Sequence, residues 1–263
     1  MHFRLYFNFF CLIKERIFLN NNLGGIIMTQ KIALVTGANR GLGLEISKQL
    51  GALGITVLMG ARTLSSAEAA AKPLSAAGID AIGVQLEVTN KDDIEALAEW
   101  IDRRYGKLDI LINNAGIALR SSGGNLDAFR QTFEVNTFAP FLLTESLLPL
   151  LLKSEAGRIV NQSSAIGSIA LMHTDETVRK LGDPAYAASK AALNMLTAYW
   201  AQKLENTGLK VNSTHPGLVQ TDMGGANAEI PVEEGAKTAV ALAVVDANGP
   251  SGQFFYMGQP LPW

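Results

Sequence analysis

Two short segments contain residue types whose spacing could support redox chemistry. The first, 36–43, reads Thr-Gly-Ala-Asn-Arg-Gly-Leu-Gly and follows a short apolar run. Its glycines permit a tight turn, and a helix that begins there would direct its N-terminus at the phosphates of a dinucleotide. The second, 186–190, reads Tyr-Ala-Ala-Ser-Lys, which places a phenol and an ammonium one helical turn apart. Together the two segments predict redox chemistry on a carbonyl or an alcohol.

The tyrosine and lysine are suited to acid–base work. A free phenol has a pKa near 10, and catalysis at pH 7–8 favours a value lower by ~2–3 units. Positive charge on Lys190, and on an oxidised nicotinamide, would lower the pKa of Tyr186. The same spacing recurs at Tyr199 and Lys203. Because that pair lies roughly 220° further round a helix, at ~100° per residue, the two pairs cannot share one site, and we predict a packing role for Tyr199.

The end of the second predicted strand indicates which dinucleotide is bound. NAD enzymes place a carboxylate there to bind the ribose hydroxyls, but the run 59–62 reads Met-Gly-Ala-Arg. Arg62 follows this strand and Arg40 lies in the glycine-rich segment, so two guanidinium groups could hold a 2′-phosphate. This pattern favours NADPH or NADP+ over NADH. The alternative is that both arginines are ordinary solvated surface residues.

The surrounding pattern alternates short apolar strands with helices. Strands are predicted at 32–36, 55–60, 81–88, 108–113, 157–163, 209–213 and 253–257. Helices are predicted at 41–53, 65–77, 91–105, 125–152 with a kink at Pro140, 184–206 and 232–245. This order predicts an α/β fold, a single doubly wound, Rossmann-like parallel sheet of about seven strands with helices on both faces. Two loops, 165–183 and 219–230, should overhang the crevice at the carboxyl ends of the strands.

Composition excludes several other classes of protein. The chain has 263 residues, 48% of them apolar, and a formal net charge of −2, so it has ample material for a core and no general attraction to nucleic acid or anionic membranes. No apolar run reaches the ~18 residues of a membrane span. Cys11 is the one cysteine, so no intrachain disulfide can form, and a cytoplasmic location is the natural interpretation. No metal site is predicted.

The first 27 residues differ in composition from the rest. They fit neither a signal peptide nor a mitochondrial presequence. The run 23–28, Leu-Gly-Gly-Ile-Ile-Met, can be encoded by a purine-rich ribosome-binding sequence, a short spacer and a start codon. We therefore expect the native chain to begin at Met28, and residues 28–263 to form one domain.

Seven segments together resemble the short-chain dehydrogenase/reductase family. They are 36–43, 86–89, 113–116, 133–136, 157–164, 186–190 and 216–221. They occur in the family's order across nearly everything after Met28. Arg40, the run 60–62 and the ending 249–254 are most similar to the NADPH-dependent carbonyl reductase branch.

The resemblance implies a catalytic tetrad of Asn136, Ser164, Tyr186 and Lys190. Ser164 would stabilise a developing oxyanion, Tyr186 would transfer the proton, and Asn136 would hold a water that links Lys190 to solvent. Strand alternation places Ser163 and Ser164 on opposite sides, and the family's spacing selects Ser164. The implied cofactor-binding residues are Gly37, Asn39, Arg40, Gly41, Leu42, Gly43, Arg62, Glu87, Val88, Asn114, Ala115, Gly116, Tyr186, Lys190, Pro216, Gly217, Val219 and Thr221.

Two positions depart from the family pattern. Glu87 stands where aspartate is usual, so its contact near the adenine is less certain. His215 stands where asparagine is common, and we predict a structural role for it.

The implied activity is NADPH-dependent reduction of a small or flat hydrophobic carbonyl, such as an aldehyde, ketone or quinone. Tyr186 follows Ser164 by 22 positions, which exceeds the family's usual spacing. The long loop between them could alter the helix–helix contact through which the family usually forms oligomers, so a homo-oligomer is possible but not predicted. Within the family, an alcohol or hydroxysteroid dehydrogenase and a 3-oxoacyl reductase remain alternatives. A non-catalytic NADP(H)-binding sensor is a more remote one.

Overall fold

The computed structural model describes residues 30–121 and 123–263. The predicted start at Met28, the leader before it and Cys11 lie outside these residues. Within them, eight strands form one sheet in the order β3-β2-β1-β4-β5-β6-β7-β8. All neighbouring strands are parallel except β7 and β8, which pair antiparallel. The strands are β1 Ile32–Thr36, β2 Thr56–Ala61, β3 Ala81–Gln85, β4 Ile110–Asn113, β5 Arg158–Gln162, β6 Lys210–His215, β7 Phe254–Tyr256 and β8 Gln259–Leu261.

Helices connect the parallel strands. They are α1 Gly41–Ala52, α2 Leu64–Ala76, α3 Lys91–Tyr105, α4 Leu126–Phe133, α5 Ala139–Leu151, α6 Ile169–Thr174, α7 Glu176–Leu181, α8 Pro184–Lys203 and α9 Val232–Ala243. A π-helical turn, Glu134–Phe138, joins α4 to α5, and 3₁₀ turns occupy Ala165–Gly167 and Glu205–Thr207.

The sheet is buried on both faces, which explains why its strands read as continuous apolar runs. Leu34 and Leu111 point to one face and pack with Leu147 and Trp200. On the other face, buried residues of β1, β4 and β5 pack with α1 and α9; they include Val35, Ile112, Val160, Ile46 and Val240. The predicted α/β fold with a doubly wound parallel sheet is confirmed.

Besides shifts of a few residues at the ends of several elements, the structure differs from the predicted elements in three features. The interval 165–183 is not a plain loop, because it contains α6 and α7. The predicted long helix 125–152 is interrupted at the π-helical turn rather than at Pro140, which occupies the first turn of α5, where proline needs no hydrogen-bond partner. The sheet also contains β8, a short antiparallel edge strand that the alternating pattern of strands and helices in the sequence did not predict.

The strand order reverses between β1 and β4, and this is where ligands bind in such sheets. Side chains tie the two strand ends together. Thr36 Oγ1 accepts hydrogen bonds from the backbone N–H groups of Asn114 and Ala115, at 3.0 and 2.9 Å. The Asn114 amide donates in return to the Thr36 carbonyl, at 2.8 Å. These bonds fix the ends of β1 and β4 relative to each other. No helix in the described ranges is long and apolar enough to span a membrane.

Candidate active site

The start of α8 is fixed by hydrogen bonds to a neighbouring loop. Asp183 caps the helix by accepting from the Ala185 N–H at 3.0 Å. It also accepts from the backbone N–H and hydroxyl of Ser121, at 2.8 and 2.6 Å. Burial acts to raise the pKa of Asp183, but these hydrogen bonds outweigh it, and the pKa lies below the ordinary aspartate value. The caps place Tyr186 in the first turn of α8, at the edge of the crevice.

Lys190 lies one turn along α8 and is almost fully buried, with 5% of its surface exposed. Its Nζ donates a 2.7 Å hydrogen bond to the carbonyl oxygen of Gln162 and lies 5.6 Å from the centre of the Tyr186 ring. Burial lowers the pKa of Lys190 to about 8, because removal of water disfavours the charged form. Lys190 therefore gains or loses its positive charge at a pH only slightly above neutral.

Ser164 is the serine that contacts the tyrosine. Burial raises the pKa of Tyr186, and a side-chain hydrogen bond with Ser164 opposes that rise without cancelling it. Ser163 instead donates to the Lys190 carbonyl at 3.4 Å. The structure thus brings together Ser164, Tyr186 and Lys190. The pKa of Tyr186 was expected to be lowered but is raised, because the effect of desolvation exceeds that of the hydrogen bond.

Asn136 occupies the π-helical turn and is fully buried. Its Oδ1 accepts from the Ile117 N–H at 2.9 Å, and its Nδ2 donates to the Ile117 carbonyl at 2.9 Å and to Ser189 Oγ at 3.1 Å. A Cβ on Gly116 would lie 3.3 Å from Asn136 Oδ1 and 3.6 Å from Lys190 Nζ. Gly116 therefore borders both groups. The water that Asn136 was predicted to hold remains a prediction.

The glycine-rich loop has the conformation that its sequence indicates. Gly37 and Gly41 have φ values of +62° and +53°, in the left-handed region that favours glycine. A Cβ on Gly43 would lie 2.4 Å from the Gly37 carbonyl oxygen and 2.5 Å from the Asn114 amide nitrogen. A side chain at Gly43 would consequently force the loop and the end of β4 apart.

The N-terminus of α1 is suited to a phosphate. No side chain caps it, and its first turn contains no acidic residue. Its first N–H groups thus lack side-chain acceptors in the described part of the chain, and the helix dipole favours an anion there. Together with the close approach at Gly43, this fits the pyrophosphate of a dinucleotide.

The segment after β6 lies against the glycine-rich loop. Gly217 has a φ of +85°, and Val219 forms an isolated parallel bridge with Ile230 that closes the base of the loop 219–230. The Thr221 methyl carbon would lie 3.3 Å from a Cβ on Gly41. Thr221 therefore borders the glycine-rich loop, and contact of Pro216, Gly217, Val219 and Thr221 with a cofactor stays a prediction.

The charged residues predicted to bind cofactor have varied surroundings. The Arg40 guanidinium pairs with the Asp222 carboxylate at 2.8 Å, with both side chains more than 70% exposed. Arg62 is exposed and makes no ion pair or hydrogen bond with any described residue. Glu87 is half-buried, and its carboxylate accepts from the Thr89 N–H and hydroxyl at 3.3 and 3.1 Å.

The remaining residues predicted to bind the cofactor differ in their exposure. Asn39 is exposed, Leu42 is partly buried, and Val88 is buried just beyond β3. Contact of these residues with a cofactor stays a prediction.

The second tyrosine–lysine pair lies elsewhere. Tyr199 is 48% exposed and packs edge-on against buried Trp200, with 5.4 Å between ring centres. His215 is half-buried beside Tyr256, with ring centres 5.0 Å apart, and burial lowers its pKa to about 4. Among the residues that the structure describes, no group of three or more His, Cys, Asp or Glu side chains could hold a metal ion.

Four residues that help build the site escaped the sequence interpretation as site residues. They are Thr36, Ser121, Asp183 and Asp222. Asp183 directly precedes Pro184, a pair typical of a helix N-terminus, so this cap could have been found. The partners of Ser121 and Asp222 are 62 and 182 positions away in the chain, and no local pattern indicates them.

A doubly wound sheet, a glycine-rich loop that leads into a helix N-terminus without a side-chain cap, and a buried Ser–Tyr–Lys group are typical of a nicotinamide-dependent oxidoreductase that acts on C=O and CH–OH groups. The chain matches the family model for short chain dehydrogenase over residues 31–230. It belongs to the short-chain dehydrogenase/reductase family.

Curated relatives support this membership. The chain is 37% identical to short-chain dehydrogenase anuI from Penicillium roqueforti, covering 82% of this chain and 89% of that protein. It is 33% identical to carbonyl reductase (NADPH) 1 from Bos taurus, covering 88% and 98%. Among solved structures, NADPH-bound carbonyl reductase from chicken fatty liver is 33% identical, with a TM-score of 0.79 and coverage of 90% and 100%. The resemblance to the carbonyl reductase branch is confirmed.

Proposed function

We propose that this protein reduces small or flat hydrophobic carbonyl compounds with NADPH, and that Tyr186 is the proton donor. The observation that carries the proposal is the contact of Ser164 with Tyr186 next to the buried Lys190. These three groups supply an oxyanion donor, a proton and a tunable positive charge in one place.

The mechanism follows from the roles of these side chains. When bound, the reduced nicotinamide supplies a hydride to the carbonyl carbon. Ser164 Oγ donates a hydrogen bond to the carbonyl oxygen as negative charge develops there. Tyr186 transfers its phenolic proton to that oxygen, and the charge on Lys190 stabilises the phenolate left behind. Asn136 positions the turn beside Lys190 through its bonds to Ile117.

The pKa of Tyr186 favours the reductive direction. Burial raises this pKa above 10 in the protein itself, so the phenol is protonated at neutral pH. A protonated phenol is ready to donate, whereas alcohol oxidation requires a phenolate. The main alternative is an alcohol dehydrogenase. It is supported by the (+)-neomenthol dehydrogenase of Arabidopsis thaliana, to which the chain is 33% identical over 86% of the chain's own length.

The choice of NADPH rests on Arg40 and Arg62. Both are exposed beside the glycine-rich loop and the end of β2, and no carboxylate follows that strand. Two relatives are named as NADPH enzymes. Replacing both arginines by alanine should weaken NADPH binding by about 10–100-fold, the effect of losing charge-assisted hydrogen bonds, and should leave NADH binding nearly unchanged. An unchanged ratio of the two affinities would reject the two-arginine site.

The test is NADPH oxidation by the full chain over a panel of aldehydes, ketones and quinones. Tyr186→Phe should reduce turnover to below a tenth of the wild-type rate while NADPH affinity is retained. Tyr199→Phe is the matched control, because it removes the same hydroxyl from the other tyrosine–lysine pair of α8.

Each of the other outcomes would indicate a different function or a different proton donor. Equal loss in both variants, or retained turnover in Tyr186→Phe, would contradict the assignment of the proton donor. Alcohol oxidation with NADP+ but no carbonyl reduction would indicate the dehydrogenase. Tight NADPH binding without turnover in either direction would indicate a cofactor-binding sensor.

A further inference from the structure

A row of polar side chains crosses the buried part of the sheet, close to the carboxyl ends of its strands. Asn113 of β4, Asn161 of β5 and Ser213 of β6 are direct neighbours in the parallel register. They point to the face of the sheet on which Leu111 and Trp200 pack, and each has an exposed fraction of 2% or less. Burial of polar groups is unfavourable unless they find partners, so this row inside an apolar core calls for a specific explanation.

The row is joined to helix α8 through Thr197, which is fully buried. Asn113 Nδ2 donates to Asn161 Oδ1, and Asn161 Nδ2 donates to Thr197 Oγ1, each at 2.8 Å. The Thr197 hydroxyl donates to the Leu193 carbonyl at 3.0 Å and lies 2.8 Å from Ser213 Oγ. A hydroxyl has one donor and two acceptor positions, so these three bonds use its full capacity. Among the described residues, Asn113 Oδ1 has no partner, and it lies at the β4 end of the row.

Helix α8 is therefore attached to the strands by side chains at two levels. At the level nearer the crevice, Lys190 Nζ donates to the Gln162 carbonyl at 2.7 Å. At the deeper level, Thr197 accepts from Asn161, the neighbour of Gln162 in β5. Thr197 follows Lys190 by two helical turns, so both residues lie on the same side of α8. Two attachments on one side of a helix fix its tilt as well as its depth.

We propose that Thr197 is a positioning residue for the proton transfer: its hydroxyl holds α8 on β5 and β6, and this keeps the ammonium of Lys190 within hydrogen-bond distance of the Gln162 carbonyl. Thr197 lies ~10 Å along the helix from Lys190, at 1.5 Å per residue, so it acts through the helix. A bonded polar network in a core favours one arrangement of its elements over others. The inference rests on the proposed function for its catalytic meaning, because that function gives Lys190 its role.

The position of Lys190 can be read from its protonation. The hydrogen bond to the Gln162 carbonyl stabilises the charged amine, whereas burial disfavours it and lowers its pKa to about 8. Tyr186 is the titratable neighbour of Lys190, and Asn136 and Gln162 present neutral groups beside it. Loss of the attachment at Thr197 should lengthen the bond to Gln162 and so lower the pKa of Lys190 further.

The test follows the titration of Lys190 by NMR in the full chain with ¹³C-labelled lysine, without turnover. The Cε signal of Lys190 is identified by its absence in Lys190→Met. Thr197→Val, which replaces the hydroxyl by a methyl group, should lower the midpoint of this titration by about 0.5–1 pH unit, the effect of a weakened hydrogen bond. The alkaline fall of kcat/KM should move in the same direction by a similar amount.

Three further variants separate positioning from general destabilisation. Thr197→Ser keeps the hydroxyl and should restore the wild-type midpoint. Thr132→Val makes the same change at another fully buried threonine, whose hydroxyl donates within α4 to the Ala128 carbonyl at 2.7 Å, and it should leave the midpoint unchanged. Ser213→Ala removes one of the three bonds of Thr197, so it should give a smaller shift in the same direction if Thr197→Val does not fold.

The outcomes distinguish this inference from the proposed function. An unchanged midpoint in the folded variants, an equal shift in Thr132→Val, or no recovery in Thr197→Ser would overturn the inference while the proposed function stands. If the midpoint shifts as expected but the wild type turns over neither carbonyl compounds nor alcohols, the proposed function fails and Thr197 still positions Lys190.

Discussion

The Nζ of Lys190 lies 5.6 Å from the centre of the Tyr186 ring, in surroundings that leave the lysine 5% exposed. The same burial acts on the two groups in opposite directions. It raises the pKa of the phenol and lowers that of the ammonium, because each neutral form is favoured where water is excluded. The two pKa values, which lie close together in water, therefore move apart, and as the pH rises the ammonium of Lys190 loses its proton before the phenol of Tyr186 does.

The buried lysine should leave a signature in stability. The pKa of Lys190 falls from 10.5 to about 8 on folding, so between these values the unfolded chain binds more protons than the folded one. Stability contributed by this residue therefore rises as pH increases through that window. Methionine has no charge to bury, so its stability does not change in this way. We therefore expect the free energy of unfolding of Lys190→Met, relative to that of the wild type, to fall by up to roughly 3 kcal/mol between pH 7 and pH 10.

Denaturant unfolding at several pH values measures this difference. The loss of the hydrogen bond to the Gln162 carbonyl changes stability equally at each pH, so the slope with pH isolates the charge. Lys203→Met, at the exposed end of α8, is the control and should show a much smaller slope. Parallel curves for wild type and Lys190→Met would contradict a buried, titrating lysine.

The rate of carbonyl reduction should fall on the alkaline side. Reduction requires the protonated Tyr186 and the charged Lys190, and rising pH removes both. Because the pKa of Lys190 is about 8, kcat/KM should be flat near pH 7 and fall by up to about tenfold per pH unit at higher pH. Steady-state rates at saturating NADPH, with circular dichroism as a check on folding, would measure it. A rate that rises through pH 8 would contradict the assignment.

The ion pair between Arg40 and Asp222 should oppose cofactor binding. A surface pair of this kind contributes little to stability, about 0–1 kcal/mol. The Asp222 carboxylate nevertheless competes with the 2′-phosphate for the Arg40 guanidinium that is proposed to bind it. Asp222→Asn should lower the Kd of NADPH severalfold at low ionic strength and leave the Kd of NADH nearly unchanged. High salt should reduce the difference.

Glu229→Gln, in the same loop, removes an equal charge and serves as the control. Equal gains in the two variants would show a general charge effect, and weaker NADPH binding in Asp222→Asn would show that the pair instead holds the loop in place.

The C-terminal residues should influence the position of Ser164. Trp263 stacks on Phe254 with ring centres 5.7 Å apart, and its main-chain oxygen accepts from the Ala170 N–H at 3.0 Å. The Ser168 hydroxyl donates to the Pro262 carbonyl at 2.8 Å. These bonds anchor the beginning of α6, which is joined to Ser164 by a single 3₁₀ turn.

Trp263→Ala should therefore lower kcat severalfold, with the Kd of NADPH unchanged, because the cofactor-binding loops are not touched. Ser168→Ala should change kcat in the same direction, since it removes the bond to Pro262. Stopped-flow measurement of a single turnover, with NADPH affinity measured separately, would test both. A weakened NADPH affinity would instead indicate general destabilisation.

The local sequence determined the repeating elements and the conformation of the glycine-rich loop. Apolar runs of strand length, helical spacing between them and the glycines at 37, 41 and 43 are local signals, so the α/β sheet and the conformation of Gly37 could be predicted. The spacing of Tyr186 and Lys190 likewise placed both groups on one side of a helix. The position of Asn136 in a π-helical turn could not be predicted, because its side chain exchanges hydrogen bonds with the backbone of Ile117, a residue 19 positions earlier.

Only the tertiary structure decided how the groups of the site influence one another. Whether a tyrosine beside a lysine has a low or a high pKa depends on how much water the surrounding helices exclude, and for Tyr186 that burial outweighs the hydrogen bond from Ser164. The pairing of Arg40 with Asp222 likewise arises between segments that are 182 positions apart in the chain. Residue types and spacing determined which chemistry the chain could perform, and long-range packing decided charge, exposure and partner, because these depend on what surrounds each side chain in space.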